Sequence, residues 1–372
     1  MAWKAVSNRT ARSKFLRRTA RNIIFRRRPY YAHLAVTHRC NLRCRFCQIY
    51  NERFDELGTE GMRRIIDILD AVGVAVVSMT GGEPLLRRDL VQIADYAAAR
   101  GLYVKVSSNG TMSRSKYEAL LASRVREIAI SLDGVQGDDL PNSHVSPKIL
   151  ENVRFLNDQL PEGKLLTLAI TAWQANVDHI EDLVHYCTSA FPRARLWINP
   201  VVVGRGKLRV ASETKVNPDV VHRIKTPTLL DPAYFKRACQ EYYRNDVYDW
   251  GCLAGEFFFD IKPNGDLWLC QDVPAVPPLN ILDPDFRRRH REAAFSEQRR
   301  QCSGCSYSCY IGFQKAFEPR CWRDVGVVWW KVATQPDDPC RKTALEHGWL
   351  AGLVHFGIQK MRSRISRAVA GR

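Results

Sequence analysis

The chain of 372 residues lacks any apolar run near the roughly 18 residues that a membrane-spanning helix needs, which excludes an integral membrane protein. It also lacks an N-terminal run of about seven or more apolar residues and a small-residue cleavage site, so we expect no secretory signal peptide. Internal repeats and low-complexity segments are absent as well. With 45% hydrophobic residues the chain can bury a sizeable core, and its length predicts two or three domains.

Acidic residues are missing from the first 51 positions, where thirteen Lys and Arg precede the first carboxylate, Glu52. The last eighteen residues hold five more basic residues and again no acidic one. Because the formal net charge is +17, the body between these two ends nets about −1. The excess positive charge therefore belongs to the ends of the chain.

Both ends combine these cations with apolar residues at helical spacing, which predicts basic amphipathic helices. The apolar residues are Phe15, Leu16, Ala20, Ile23 and Ile24 near the start and Leu350, Leu353, Val354, Met361 and Ile365 near the end. Three interpretations remain open: attachment to an anionic membrane surface, phosphate contacts to nucleic acid, and a helix packed on the fold or cleaved as a transit segment. The membrane interpretation predicts a cytoplasmic protein that binds peripherally to the inner face of the membrane.

Short apolar runs alternate with amphipathic stretches from Tyr31 onward. The predicted strands are Tyr31–Thr37, Val74–Met79, Leu102–Ser107, Glu127–Ser131, Leu165–Thr171 and Arg195–Val203. The predicted helices are Met62–Val72, Leu90–Ala99, Ser115–Leu121, Ile149–Leu160 and Val177–Cys187. This alternation predicts parallel βα units with functional residues at the carboxyl ends of the strands. Farther along, Asn264-Gly265 predicts the turn of a β-hairpin.

Twelve cysteines are many for a chain expected in a reducing compartment, and their short spacings favour metal or iron–sulfur ligation over disulfides. Cys40, Cys44 and Cys47 follow the first predicted strand in one loop, with no further cysteine or histidine close behind. Structural zinc needs four protein ligands, so three suggest an iron–sulfur centre with one open position. A zinc site completed by His33 or His38 is the alternative.

This loop resembles the hallmark of the radical S-adenosylmethionine (SAM) superfamily, a C-x3-C-x-aromatic-C sequence after the first strand of a partial barrel. Motifs at later strand ends extend the resemblance from about Tyr31 to Gly206: Thr80-Gly81-Gly82-Glu83-Pro84, Ser107-Ser108-Asn109-Gly110, Ser131-Leu132-Asp133-Gly134 and Asn199-Pro200 with Gly204-Arg205-Gly206. The resemblance implies an α/β fold, a partial (β/α)6 barrel with a small cysteine-rich C-terminal iron–sulfur domain.

By this resemblance, Cys40, Cys44 and Cys47 ligate a [4Fe–4S] cluster whose fourth iron binds SAM. The implied cofactor-binding residues are Phe46 near the adenine, Gly81, Gly82 and Glu83 at the methionyl ammonium, Ser108 and Asn109 at the ribose, and Asp133. From residue type alone, core packing remains open for Phe46 and a turn role for Asp133.

Seven cysteines lie in the last third of the chain: Cys252, Cys270, Cys302, Cys305, Cys309, Cys321 and Cys340. Cys252, Gly265 and Cys270 resemble the start of the SPASM extension, which carries one or two auxiliary [4Fe–4S] clusters, but the later spacing departs from it. We interpret Cys252, Cys270 and Cys321 as one ligand set and Cys302, Cys305, Cys309 and Cys340 as the other, which predicts about twelve irons per chain. One auxiliary cluster with spare thiols is the alternative. Cys187 and Cys239 lie in apolar helical patterns and are interpreted as buried hydrophobes.

The predicted organisation is a basic amphipathic arm over 1–30, the radical SAM barrel over 31–210, a connector over 211–250, a SPASM-like domain over 251–343 and a basic amphipathic helix over 344–372. The resemblance implies an enzyme that cleaves SAM reductively to a 5′-deoxyadenosyl radical, which abstracts hydrogen from its substrate. We expect a peptide, a protein or a membrane-associated lipid as substrate, and an electron donor such as flavodoxin or ferredoxin. The alternative is a non-enzymatic zinc scaffold that binds nucleic acid, which the ordered strand-end motifs do not favour.

Overall fold

A computed structural model describes residues 13–15, 17–19, 21, 29–134, 146–201, 216, 219, 237, 240, 251–300, 302, 305, 307–315 and 318. Its first six strands are β1 (Tyr31–Thr37), β2 (Val76–Gly81), β3 (Tyr103–Ser108), β4 (Glu127–Ser131), β5 (Leu165–Ala172) and β6 (Ala194–Pro200). The helices among them are α1 (Thr59–Val72), α2 (Leu90–Ala99), α3 (Arg114–Ala122), α4 (Pro147–Gln159) and α5 (Ile180–Ala190). Each strand pairs in parallel with the next, so the predicted α/β partial barrel is confirmed.

Local sequence explains where α4 begins. The side chain of Ser146 accepts a hydrogen bond from the backbone N–H of Ile149, and Pro147 occupies the first turn of α4, where its missing N–H costs nothing. Helix α3 begins at Arg114 after the N-cap Ser113, one residue before its predicted start at Ser115. Neighbouring serines make the start of such a helix ambiguous from sequence alone.

The two faces of the strands differ in character because successive side chains point to opposite sides. Apolar residues such as Leu34, Val104 and Ile128 are fully buried in the main core with the helices. The other side, which we call the inner face, carries polar groups. Strand pairing places five of these residues side by side around this face, in the order Asp260, His33, Ser78, Lys105 and Glu127.

The C-terminal strands extend the same sheet. β7 (Phe258–Ile261) pairs in parallel with β1, and β8 (Asp266–Trp268) and β9 (Pro274–Asn280) follow antiparallel, which gives the order β6-β5-β4-β3-β2-β1-β7-β8-β9. The predicted turn before β8 is present, with Gly265 at a φ of +89°. The cysteine-rich part of the chain is therefore joined to the barrel by backbone hydrogen bonds.

Three short helices end the described part: α6 (Phe286–Glu292), α7 (Phe295–Arg300) and α8 (Ser308–Lys315). In α8, the ring of Tyr310 stacks on Phe258 with ring centroids 4.3 Å apart and lies 5.4 Å from the ring of His33. A Cβ built on Gly312 would lie 3.5 Å from the Trp197 ring of β6. Helix α8 thus contacts the inner face both at β7 with β1 and at β6.

The N-terminal segment packs on the barrel near the amino ends of the strands. Residues 13–15, 17–19 and 21 are helical, and the buried Arg18 donates from Nη1 to the Val74 carbonyl at 2.7 Å and from Nη2 to the Asp70 carbonyl at 2.7 Å. The ring of Phe15 lies 6.0 Å from that of Tyr103. Among the three interpretations of the basic arm, a helix packed on the fold fits these residues.

Substituting Arg18 tests this packing. Lys14 and Arg18 both pair with Asp70. Burial raises the pKa of Asp70, but the hydrogen bonds from Lys14 and Arg18 outweigh burial and hold this pKa below its usual value. Arg18→Ala removes a buried charged partner of Asp70 and the side-chain donor to the Val74 carbonyl, so we expect the free energy of unfolding to fall by about 3 kcal/mol. Arg17→Ala is the matched control, because Arg17 is exposed, and should change it by less than about 0.5 kcal/mol. Urea unfolding of both variants checks this, and equal midpoints would contradict the packing.

Within the described residues, no helix is long and apolar enough to cross a membrane. Residues 344–372, nearly all of the 211–250 connector, and Cys239, Cys321 and Cys340 lie outside them. Cys187 is fully buried in α5 among apolar side chains, which confirms its interpretation as a small hydrophobe.

Candidate functional site

The cysteine loop begins where β1 ends. The backbone N–H of Leu42 approaches Cys40 Sγ at 3.4 Å, and the N–H of Cys47 donates to the carbonyl of Cys44 at 3.0 Å. Burial raises the pKa of Cys40, and Glu83, Cys47 and Cys44 raise it further because they lie near enough to repel its thiolate. The three predicted cluster ligands thus share one loop, and Cys40 lies within electrostatic reach of Cys44, Cys47 and Glu83.

The glycine pair after β2 fits against the start of this loop. A Cβ on Gly81 would collide with the Thr37 carbonyl, and one on Gly82 with the Arg39 carbonyl. Gly81 also has a φ of +122°, which strains any other L-residue. The backbone N–H of Gly82 donates to the Thr37 carbonyl at 2.9 Å. The glycines thus let the second strand end pack directly on the base of the cysteine loop.

Glu83 joins the second and third strand ends. Its side chain is fully buried, and it accepts from the backbone N–H of Leu85 at 3.0 Å and from that of Asn109 at 2.6 Å. Asn109 in turn donates from Nδ2 to Asn41 Oδ1 at 2.8 Å, and the same nitrogen lies 4.0 Å from Cys40 Sγ. Glu83 and Asn109 are therefore at the site, in a network that includes the cysteine loop.

Ser108 is oriented differently from its prediction. Its hydroxyl lies 3.1 Å from the hydroxyl of Tyr117 in α3, and both residues are buried. Side chains alternate along β3, so Ser108 faces the helices and the preceding Ser107 faces inward. The structure does not bring the Ser108 hydroxyl to the predicted ribose site.

Phe46 lies in a small apolar cluster, separate from the main core, that also contains Cys44, Trp173 and Val201. The rings of Phe46 and Trp173 meet edge to face, with centroids 5.5 Å apart and planes at 66°. Trp173 is 1% exposed, and its indole nitrogen Nε1 has no hydrogen-bond partner among the residues described. Trp173 was not predicted as a site residue, because it belongs to no motif and only its burial without an acceptor distinguishes it.

Asp133 makes hydrogen bonds within the protein that link the end of β4 to the end of β5. It is fully buried, and its Oδ1 accepts from the backbone N–H of Thr171 at 2.7 Å. Asn176 donates from Nδ2 to the Asp133 carbonyl at 2.9 Å and accepts at Oδ1 from the N–H of Trp173 at 3.0 Å. These bonds give Asp133 a structural role, and its assignment as a cofactor ligand remains a prediction.

Charged groups on the inner face are paired with one another. Lys105 Nζ lies 2.8 Å from Glu127 Oε1, and Asp260 lies 3.1 Å from Lys262 Nζ and 3.6 Å from His33 Nδ1. Burial raises the pKa of Asp260, but Lys262 and His33 outweigh it and hold the pKa at about 2. A buried ion pair adds little stability compared with apolar side chains at the same position. These pairs therefore matter chiefly because they make the inner face a polar environment.

The C-terminal cysteines form a second group. Burial raises the pKa of Cys305 most, and the charges of Cys252 and Cys302 raise it further. Burial likewise raises the pKa of Cys270 well above its usual value, with smaller effects from Asp272, Cys305 and Cys252. Cys305 is thus within electrostatic reach of Cys252, Cys270 and Cys302, and the division of these four cysteines between two ligand sets stays a prediction. The backbone of Cys309 lies in α8, and its side chain is outside the description.

The residues present fit the cofactors that the resemblance implies. One loop supplies three soft thiolate donors, which suit iron–sulfur ligation. The buried indole N–H of Trp173 beside this loop lacks a protein acceptor among the described residues, as expected next to a ligand. In the part of the chain that the structure describes, no group of three or more His, Cys, Asp or Glu side chains is arranged to hold a single metal ion.

Comparisons with known proteins indicate the family of the chain. The Radical SAM superfamily profile matches residues 34–201. The "AdoMet-dependent heme synthase" of Nitratidesulfovibrio vulgaris is 34% identical over 335 residues, covering 77% of this chain and 90% of that relative. The "Fe-coproporphyrin III synthase" of Methanosarcina barkeri is 36% identical over 153 residues, covering 39% of this chain and only 37% of its own length.

Among solved structures, Streptococcus suis SuiB bound to S-adenosylmethionine superposes with a TM-score of 0.54 at 17% identity, covering 68% of this chain and 64% of that one. This likeness shows the fold alone. Nothing in the comparisons supports the zinc scaffold that binds nucleic acid. The extent of the match to the heme synthase, together with the cysteine loop and the strand-end motifs around it, shows that the chain belongs to the radical SAM superfamily, whose members are enzymes that use a [4Fe–4S] cluster and SAM.

Proposed function

We propose that this enzyme acts on an iron porphyrin or a closely related intermediate of heme synthesis. The supporting observation is the match to the heme synthase, which covers 90% of that relative and extends well beyond the 34–201 segment. The Fe-coproporphyrin III synthase, matched over only 37% of its length, also has a porphyrin-related name and supports the same substrate class. This substrate class replaces the expected peptide or lipid as the leading hypothesis.

The proposed division of labour leaves the difficult chemical step to the cofactors, which supply the 5′-deoxyadenosyl radical that abstracts a hydrogen atom from the substrate. Cys40, Cys44 and Cys47 would hold the cluster. Glu83 fixes the relative positions of the second and third strand ends through two backbone N–H groups. The apolar cluster around Phe46 would keep water from one side of the site.

We also propose that Cys252, Cys270, Cys302 and Cys305 hold one auxiliary [4Fe–4S] cluster. Four thiolates complete such a cluster. The charges of Cys252 and Cys302 raise the pKa of Cys305, and those of Cys305 and Cys252 raise the pKa of Cys270. Gln271, next to Cys270, places its Nε2 3.1 Å from His33 Nδ1 on the inner face. The proposed auxiliary site is therefore in hydrogen-bond contact with the barrel.

The electron for SAM cleavage would come from an acidic donor such as flavodoxin or ferredoxin. The cysteine loop exposes Arg43 and Arg45, and Arg53 nearby is exposed too. Arg43 is held in place by the carbonyl of Cys40 at 2.8 Å. Exposed cations at this position would steer a negatively charged protein toward the cluster.

A substrate-dependence assay tests the proposed function. Reconstituted enzyme is incubated anaerobically with SAM and reductant, alone or with Fe-coproporphyrin III, a mixture of unstructured peptides or anionic lipid vesicles. We expect the porphyrin to increase 5′-deoxyadenosine at least about tenfold over the uncoupled rate, because a bound substrate supplies the reacting hydrogen. Metal-free coproporphyrin III is the matched control for the iron.

The readouts are 5′-deoxyadenosine and the mass of each added substrate. Stimulation by peptide or lipid with no effect of porphyrin would replace the porphyrin assignment with one of the two earlier substrate classes. Modified porphyrin formed in step with 5′-deoxyadenosine would support it.

A further inference from the structure

We infer that the indole N–H of Trp173 donates a hydrogen bond to the adenine ring of bound SAM. This inference rests on the SAM cofactor and is independent of the proposed substrate. Trp173 would then be a cofactor-binding residue at the end of β5, on the side of the cysteine loop occupied by Phe46.

The indole is buried, yet its donor has no acceptor among the described residues. Buried N–H groups in native proteins are almost always paired, because leaving one unpaired sacrifices its hydrogen bond to water. An apolar side chain of similar shape would fill this position without that penalty. An unpaired indole here is therefore best explained by an acceptor that arrives with a ligand.

The surroundings of the ring indicate which ligand this is. Trp173 packs with Phe46, Cys44 and Val201, and the margin of this cluster is formed by Leu42 and Cys47. Apolar and aromatic walls with one directed donor are the usual lining for a flat heteroaromatic ligand. Adenine offers ring nitrogens as acceptors. Cys44 and Cys47, two of the three predicted iron–sulfur ligands, lie at this apolar cluster.

The backbone holds Trp173 in a fixed orientation. Asn176 Oδ1 accepts from the N–H of Trp173 at 3.0 Å, and the Trp173 carbonyl accepts from the N–H groups of Asn176 at 3.1 Å and Val177 at 3.0 Å. Asn176 is itself bonded to the carbonyls of Asp133 and Thr171, each at 2.9 Å. The donor is thus preorganised by the ends of two strands, which reduces the entropy lost on ligand binding.

The test compares Trp173→Phe with Trp197→Phe in the cluster-loaded enzyme. Trp197 lies on β6, and its indole N–H is already bonded to Asn199 Oδ1 at 2.8 Å. Each substitution keeps an aromatic ring and removes one indole donor. The dissociation constant of SAM is measured by calorimetry, and the thermal midpoint is measured without SAM.

We expect Trp173→Phe to bind SAM about 3- to 10-fold more weakly and Trp197→Phe to bind it normally, the ordinary range for one hydrogen bond. Phe is smaller than Trp and loses packing in this buried position, so the thermal midpoint of Trp173→Phe without SAM serves only to confirm that the variant is folded. An unchanged SAM affinity for Trp173→Phe would overturn the inference.

SAM analogues in which CH replaces ring nitrogen N1, N3 or N7 identify the acceptor. One of them should bind the wild type as weakly as SAM binds Trp173→Phe, with no additional loss in that variant. If Trp173→Phe instead shifts the midpoint potential of the cluster in the absence of SAM and leaves SAM affinity intact, the donor belongs to a cluster or cysteine sulfur, and the adenine assignment is wrong.

Discussion

Replacing Cys40, Cys44 and Cys47 together by Ala is expected to abolish 5′-deoxyadenosine formation and to lower the iron content by about four per chain. All three thiols belong to the loop that follows β1, and Cys40 is close enough to the other two to be influenced by their charge. The second cysteine group lies elsewhere, beside β7 and β8, so its iron should remain. Iron and sulfide counts with chromatographic assay of 5′-deoxyadenosine check both parts.

Cys187→Ala is the matched control for this variant. Cys187 is fully buried in α5 and contributes only packing, so it should keep both the iron and the activity. If the triple variant keeps its 5′-deoxyadenosine formation, the assignment of these cysteines to the reactive cluster is wrong. Loss of all iron in the triple variant would show that the second group depends on the first.

Pairwise substitution of the second cysteine group should give strongly non-additive iron losses. Cys252→Ala with Cys270→Ala is expected to remove about four irons, and Cys302→Ala with Cys305→Ala about four as well. If all four thiols hold one cluster, combining both pairs removes the same four irons and no more. The electrostatic influence of Cys252 on Cys305, and of Cys305 on Cys270, is the basis for this expectation.

The division made from the sequence gives a different result. It assigns Cys252 and Cys270 to one cluster and Cys302 and Cys305 to another, so combining the pairs should remove about eight irons. A loss near eight would therefore restore that division and contradict the four-thiol site. Iron counting under anaerobic conditions, with electron paramagnetic resonance of the remaining reduced clusters, distinguishes the two.

The barrel could be predicted because its signals are local. The boundaries of β1 and β4 match the apolar runs, and the cysteine loop and glycine pair lie at the strand ends where parallel βα units place functional residues. The orientation of Ser108 was harder to predict. The predicted strand ends at Ser107, whereas β3 continues through Ser108, so side-chain alternation places Ser108 on the same side as Val104 and Val106.

Other features depended on distant partners that no local pattern reveals. Arg18 is one of several cations in the predicted basic amphipathic arm, and nothing local distinguishes it from the others. It is buried, and its hydrogen-bond partners lie 52 and 56 positions away in the sequence. Cys302 and Cys305 were assigned by spacing alone, whereas Cys305 lies within electrostatic reach of Cys252 and Cys270, which are distant in the sequence. Trp173 carried no motif, and only its burial without an acceptor draws attention to it.

The most direct test of the central claim is product analysis of the wild-type enzyme. Reconstituted protein is incubated anaerobically with SAM and dithionite, and 5′-deoxyadenosine and methionine are quantified over time. Reductive cleavage of one sulfonium bond per SAM predicts equal amounts of the two products, both dependent on the reductant and absent from the Cys40, Cys44 and Cys47 variant. Formation of S-adenosylhomocysteine in place of 5′-deoxyadenosine, or no consumption of SAM by the fully loaded enzyme, would contradict it.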